Sequence, residues 1–98
     1  MKPISPDENK KAQLISIGHP KHLDSLVHDK NPMIRSLVAE KGTDKHRGHL
    51  VNDPEWIVRE SVAWHGNENH ARALLNDEDE DVSQTAKERL EKLNGKRS

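Results

Sequence analysis

Seven histidines are the side chains of this sequence best suited to chemistry, because imidazole binds transition metals and transfers protons near neutral pH. Three of them, His22, His46 and His70, recur at one constant interval. Packed helices are about 8–10 Å apart, too far for one ion that needs its ligands about 2 Å away. The pairs His19/His22 and His46/His49 have the i, i+3 spacing of half a site, but no third ligand is evident. We therefore expect no metal site and interpret the spaced histidines as partly buried helix residues.

Other catalytic groups lack a recognisable setting. The chain has no cysteine, which excludes disulfides, thiolate nucleophiles and thiolate metal sites. It has no glycine-rich phosphate loop, and its serines lack a nucleophile motif. The acidic run at 77–81 precedes a predicted helix, whose start it would stabilise through the helix dipole. We expect no catalytic residue, no enzyme activity and no cofactor.

Trp56, Glu60 and Trp64 are the strongest candidate binding residues. At 3.6 residues per turn they share one face of a helix, roughly opposite its apolar stripe, which includes Ile57 and Val62. Two tryptophans on an open face would form a binding hot spot. Alternatively, they fill the gap between helices in a chain without Phe or Tyr. Both interpretations stay open.

Arg35 and Arg59 are separated by the same interval as the histidines, and Lys11 precedes Arg35 by that interval again. A ladder of basic residues on a concave surface could follow the phosphates of a nucleic acid. In the other interpretation, each basic residue pairs with an aspartate of a neighbouring turn. The candidates are Asp29, Asp53 and Asp77. We favour the pairing, because Arg and Asp recur together and the net charge is −1, with no basic surplus.

A 24-residue repeat organises all of these positions. Gly18, Gly42 and Gly66 open three units, and leucine, valine and aspartate positions recur within each unit. A period in this range is typical of stacked supersecondary units. Each unit has room for two short helices and two turns. The glycines are predicted to take the left-handed conformation that ends a preceding helix.

Helix boundaries follow from capping residues and prolines. The first helices of the units are predicted at 21–28, 44–52 and 69–76. Thr43 and Asn67 are the predicted N-caps of the second and third of these. Asn31-Pro32 and Asp53-Pro54 have the cap-then-proline pattern that starts a second helix. Pro6 lies in the same register, so an additional helix is predicted at 6–17, and the last helix is predicted to end near Leu93.

The segments 31–39 and 53–63, each with an Asp/Asn-Pro start followed by Ile/Val-Arg and Val-Ala, resemble the HEAT-like α-solenoids. More narrowly, they resemble the leucine-rich repeat variant type. The resemblance covers about residues 5–93 and implies a right-handed superhelical stack whose second helices line the concave side. Such arrays include scaffolds, inhibitors, lyases and DNA glycosylases, so the resemblance indicates architecture more than activity. The chain lacks the cysteines of the iron–sulfur module found in some variant proteins, and Ser83 stands where arginine is expected.

The predicted fold is therefore all-α: one domain, 1–98, forming a short right-handed α-solenoid of about three and a half two-helix repeats with seven helices. Its parts are an unpaired first helix at 5–17, repeats at 18–41, 42–65 and 66–93, and a tail at 94–98. No apolar run approaches the roughly 20 residues that cross a bilayer, so we expect a monomeric cytoplasmic protein without membrane contact.

The predicted function is non-catalytic binding of another protein on the concave helical face. The predicted partner-binding residues are Trp56, Glu60, Trp64, Arg35, Arg59 and Arg72. The alternative is a nucleic-acid-binding protein of the HEAT-like kind, in which arginine and tryptophan contact backbone and unpaired bases.

Overall fold

A computed structural model describes residues 6–95 of the chain, which contain seven α-helices and no strands. The helices are α1 Pro6–Ile17, α2 Pro20–Leu26, α3 Pro32–Lys41, α4 Asp44–Leu50, α5 Trp56–His65, α6 Glu68–Leu74 and α7 Glu80–Gly95. The predicted all-α class and number of helices are confirmed for these residues. Ser5 and residues 96–98 of the predicted 94–98 tail lie outside the described residues. The other two tail residues, Asn94 and Gly95, belong to α7, so the prediction that this helix ends near Leu93 is two residues short.

The three short helices end slightly before the predicted boundaries, at Leu26, Leu50 and Leu74. After each of them, the amide of an aspartate closes a turn by donating to the carbonyl of that last leucine, at 3.0 to 3.1 Å. The three aspartates are Asp29, Asp53 and Asp77. Each of these carboxylates accepts a hydrogen bond from the backbone amide two residues further on and pairs with a basic side chain of a neighbouring helix. Both contacts place the aspartate in the turn, so the helix ends before it.

The predicted starts of the helices are confirmed in three places and wrong in one. Asn31 caps α3 by accepting a hydrogen bond from the amide of Met33, and Thr43 and Asn67 are the N-caps of α4 and α6. In contrast, α5 begins at Trp56, so the proline before it stands in the turn and not in the first helical position. Asp53 accepts from the amide of Glu55 at 2.9 Å while its carboxylate also pairs with an arginine of α3, which keeps it in the turn.

The regular spacing of the glycines has two different physical causes. Gly18 has φ +75°, the left-handed conformation predicted for all three. That prediction is wrong for Gly42 and Gly66, whose φ values of −82° and −77° are open to any residue. A Cβ on Gly66 would instead lie 2.6 Å from the carbonyl oxygen of Val62 and 2.7 Å from Cβ of His70. Lack of space therefore explains the glycine there.

The longer helices pack against one another in chain order, α1 on α3, α3 on α5 and α5 on α7. Each short helix contacts the long helix before it and the long helix after it. The packed helices extend over 45 × 27 × 21 Å along their principal axes. The core consists of buried aliphatic side chains from every helix: Ile15, Leu23, Leu26, Val27, Ile34, Val38, Ala39, Leu50, Val58, Val62, Ala63, Leu74, Val82 and Ala86.

Paired charges connect successive turns, as the favoured interpretation of the basic ladder predicts. Arg59 donates from Nε and Nη2 to both carboxylate oxygens of Asp77, at 2.8 and 3.1 Å, and from Nη1 to the carbonyl of Asp53 at 2.7 Å. Arg35 makes the same three contacts one step earlier, with Asp53 and with the carbonyl of Asp29. Lys11 pairs with Asp29 at 2.8 Å. Each arginine thus ties two turns together.

This pairing stabilises the ionised forms of both partners. Burial disfavours the ionised carboxylate of Asp77, but hydrogen bonds from Arg59 and from the amide of Asp79 outweigh it and lower its pKa. The hydrogen bond with Asp77 in turn raises the pKa of Arg59. These arginines therefore act as fixed parts of the fold.

Two of the three matched histidines, His46 and His70, also have a structural role. Asn67 accepts from the amide of His70 at 3.0 Å, and Nδ1 of His70 accepts from the amide of Asn67 at 3.2 Å. This is a capping box in which histidine replaces the usual Glu or Gln. Likewise, Nδ1 of His46 accepts from the amide of Thr43 at 3.0 Å. Because an amide can only donate, Nδ1 of each ring is the acceptor in these contacts.

Candidate partner-binding face on helix α5

Helix α5 has a fully buried side and a half-exposed side. Val58 and Val62 have no exposed surface, whereas the side chains of Trp56 and Trp64 are 45% and 50% exposed. The step from one indole to the other corresponds to about 12 Å along the helix axis. Both tryptophans therefore lie partly open to solvent, and the interpretation that they fill the core accounts for only half of each side chain.

Trp64 borders a cleft between α5 and α7 with a volume of about 350 Å³. Its walls are Glu60, Ser61, Trp64, His65 and Thr85. Thr85 donates to Glu60 at 3.4 Å across the two helices, and Ser61 exchanges a short hydrogen bond with Ser36 on α3. Because Ser61 is hydrogen-bonded to another serine and not to His65, the described residues show no nucleophile–base pair in this cleft.

A second cleft of about 200 Å³ also borders the Trp64 indole, and its lining is basic. Nζ of Lys92 is 4.8 Å from the centroid of the Trp64 ring, a cation–π contact. Arg89 donates to the carbonyl of Gly66 at 2.9 Å and so caps the end of α5. Burial lowers the pKa of His65. Four charged groups also act on this ring, of which one, Glu40, is acidic and three are basic: Lys41, Arg47 and Arg89. The carboxyl-terminal end of α5 is thus a positive region.

Trp56 lies in a separate and acidic cleft of about 340 Å³. Pro54, Glu55, Trp56, Arg59, Glu78 and Asp79 line it. The guanidinium of Arg59 is neutralised by Asp77, and Asp79 accepts from the amides of Asp81 and Val82 at the start of α7. The side chains of Glu55 and Glu78 are exposed and make no hydrogen bond or ion pair with described residues. Negative charge therefore surrounds this indole.

The six predicted binding residues occupy three kinds of environment. Trp56, Glu60 and Trp64 lie on one face of α5, although the two indoles border different clefts. Arg35 and Arg59 have their guanidinium groups engaged by aspartates and carbonyls. The side chain of Arg72, on α6, is 65% exposed and pairs with Glu68 at 2.8 Å. Arg72 lines none of the three clefts beside the tryptophans.

The histidines do not come together as a ligand set. Among residues 6–95, no group of three or more His, Cys, Asp or Glu side chains could hold a metal ion. His28 and His49 stack edge to face with 5.6 Å between ring centroids, and Nε2 of His46 is 2.6 Å from the carboxylate of Asp24. These contacts join α2 and its end to α4.

Sequence reasoning missed the charged rims of the two clefts. Lys41, His65 and Arg89 occupy the same position of successive units, so the repeat itself marks two of the basic residues that act on His65. Lys92 has no such signal, because its position over the indole depends on how α7 packs against α5. The same packing brings Glu78 to Trp56, although the two residues are remote in sequence.

No protein-family model, curated protein or solved structure matches the chain. In the part of the chain that the structure describes, no helix is long and apolar enough to cross a membrane. The geometry of the α5 face is therefore the basis for assigning a function.

Proposed function

We propose that the protein is a non-catalytic protein-binding module that binds a segment of another protein on the exposed face of α5. The observation that carries this proposal is the half-exposure of both tryptophans on one face, with Glu60 between them. Tryptophan is enriched at interface hot spots because it buries a large apolar area while its indole N–H satisfies a polar partner.

The exposed area of the two indoles supports this proposal. Half of an indole side chain is about 100 Å², which at about 25 cal/mol per Å² corresponds to about 2.5 kcal/mol on full burial. That value is typical of a single hot-spot residue. Two such residues, with a carboxylate between them to set orientation, provide the centre of a small interface.

We also propose that the scaffold is a HEAT-like α-solenoid of 24-residue units, whose second helices form the binding face. The chain-order packing of the long helices and the recurring Arg–Asp pairs support this interpretation. In a solenoid each unit contacts only its neighbours. Inserting a second copy of residues 42–65 after position 65 should therefore give a folded chain with more helix by circular dichroism; an unfolded product would contradict the solenoid.

The experiment for the binding function compares three proteins as baits in a pull-down from the native host. Wild type and Ile17→Ala should recover the same partner, and the double variant Trp56→Ala/Trp64→Ala should not. Ile17 is the matched control because it is an exposed apolar residue, 71% open, on α1. Recovery of the same partner by the double variant at equal folded fraction would exclude the α5 face.

The arginines have separate roles in this proposal. Arg35 and Arg59 support the face by holding the turns, because their donors are engaged within the fold. Arg72 remains a candidate for a peripheral contact, since its side chain is exposed.

Nucleic acid binding is the alternative, and the positive region near Trp64 is the observation that favours it. The carboxylates around Trp56 oppose it, because they would repel a phosphate backbone at the other end of the face. A gel-shift titration with single-stranded DNA and RNA at low salt distinguishes the two. A shift at micromolar protein that Lys92→Ala abolishes would replace the protein-binding proposal.

A further inference from the structure

We propose that the α5 face selects a peptide segment by charge order: a cationic side chain at the Trp56 cleft and an acidic side chain at the Trp64 end. This inference rests on the proposed protein-binding function and adds the chemistry and the direction of the bound segment. The charges around the two half-exposed indoles differ in sign.

The Trp56 cleft is suited to an ammonium or guanidinium group. Its open indole supplies a π face, and Glu55 and Glu78 supply carboxylates that form no ion pair with a described residue. Asp79 adds a third carboxylate at the rim. A cation over an indole gains about 0.5–2 kcal/mol, and nearby carboxylates add to that attraction. An anionic side chain would be repelled by these three carboxylates.

The Trp64 end is suited to a carboxylate. Lys92 already lies over the indole, and Arg89 lines the same cleft beside His65. Nε of Arg89 donates to the carbonyl of Gly66, which leaves the other guanidinium N–H groups to donate to a ligand. A second cation in this cleft would be repelled by Lys92 and Arg89, whereas a carboxylate can pair with Lys92 where it stands.

The separation of the two sites defines the spacing in the partner. The rise of α5 from Trp56 to Trp64 is about 12 Å. An extended peptide covers this distance in about four residues at about 3.3 Å each. The expected ligand therefore has Lys or Arg and Asp or Glu about four positions apart, and it runs in one direction only.

A displayed library of random 12-residue peptides tests the inference directly. It is panned on the full chain and counter-selected on Trp56→Ala/Trp64→Ala, so that only peptides dependent on the indoles remain. We expect these peptides to have a cation and a carboxylate about four positions apart. The two indole N–H signals in the NMR spectrum should both move when such a peptide is added.

Charge exchange on the selected peptide provides the decisive measurement. Glu55→Lys/Glu78→Lys should weaken its binding about tenfold, and replacing the peptide's cation with glutamate should restore it. Lys92→Glu should likewise weaken binding of the peptide, and replacing the peptide's acidic residue with lysine should restore it. Glu91→Lys and Lys87→Glu, both at exposed positions of α7, are the matched controls and should change affinity less than twofold.

The outcomes separate the two proposals. Peptides that need the indoles but show no charge order, or that charge exchange does not rescue, would overturn this inference and leave the binding function standing. If no peptide binds in an indole-dependent way, both proposals fail. Melting temperatures of all variants confirm that each comparison uses folded protein.

Discussion

Replacing Gly66 with alanine should destabilise the fold through collision alone. The added Cβ would lie 2.6 Å from the carbonyl oxygen of Val62, 2.7 Å from Cβ of His70 and 2.8 Å from its Nδ1. Carbon atoms in contact prefer about 3.5–4.0 Å, so the backbone has to shift by about 1 Å. Two of the three neighbours, a backbone oxygen and a Cβ, cannot rotate away.

The expected free-energy change combines three contributions. Overpacking of this kind costs about 1–3 kcal/mol. The shift also strains the capping box between Asn67 and His70, whose loss costs about 0.5–2 kcal/mol. The lower backbone entropy of the unfolded alanine variant offsets about 0.4–1 kcal/mol. The net loss is about 2–3 kcal/mol, or roughly 10–20 °C in melting temperature for a domain of this size.

Two other glycines provide the controls. Gly18→Ala meets no atom within 4 Å, so its cost of about 1 kcal/mol comes only from φ +75°. Asparagine tolerates that conformation, so Gly18→Asn should be milder than Gly66→Asn. Gly48→Ala, inside α4 with its nearest neighbour at 4.0 Å, should stabilise by up to about 1 kcal/mol.

Urea unfolding, followed by circular dichroism and by tryptophan fluorescence, measures all of these variants under one set of conditions. The predicted order of stability is Gly48→Ala, wild type, Gly18→Ala and Gly66→Ala. The expected loss in free energy of unfolding for Gly66→Ala is roughly 2 kcal/mol or more. A free energy of unfolding within about 0.5 kcal/mol of wild type would therefore show that the close approach is not the reason for glycine at this position.

Two further predictions concern the charges of the fold. Arg59→Lys keeps the charge but loses the bidentate contact with Asp77 and the hydrogen bond to the carbonyl of Asp53. We expect a loss of about 2–3 kcal/mol in the free energy of unfolding by urea. An unchanged urea midpoint would contradict the structural role of the pair. Burial lowers the pKa of both His65 and His70, so below about pH 6.5 the unfolded chain binds protons that the folded chain does not, and stability should fall from pH 7 to pH 5. His70→Gln retains an acceptor for the amide of Asn67 without titrating, and should therefore flatten the change in melting temperature over that range; an identical slope would exclude His70 as a contributor.

The sequence predicted the fold class and the helix positions well because these depend on local signals. Asn31, Thr43 and Asn67 cap helices as their types indicate, and α1 has the predicted bounds. The start of α5 was wrong because Asp53 serves two partners, the amide of Glu55 and the side chain of Arg35. Together these two contacts hold Asp53 in the turn.

The candidate face was only partly predictable. Periodicity placed Trp56, Glu60 and Trp64 on one side of a helix, because that depends only on 3.6 residues per turn. It left open whether the indoles are exposed, which depends on how much of each the neighbouring helices cover.

Spacing along the chain was enough to indicate an all-α chain of seven helices and the caps that start several of them, and it favoured the pairing of recurrent arginines with recurrent aspartates. These features follow from short-range spacing and from a period that repeats the same contacts. Tertiary packing alone decided that Gly42 and Gly66 are needed for space, that carboxylates surround Trp56, and that Lys92 lies over Trp64. Each of these depends on the distance between atoms of different helices, which local propensity does not encode.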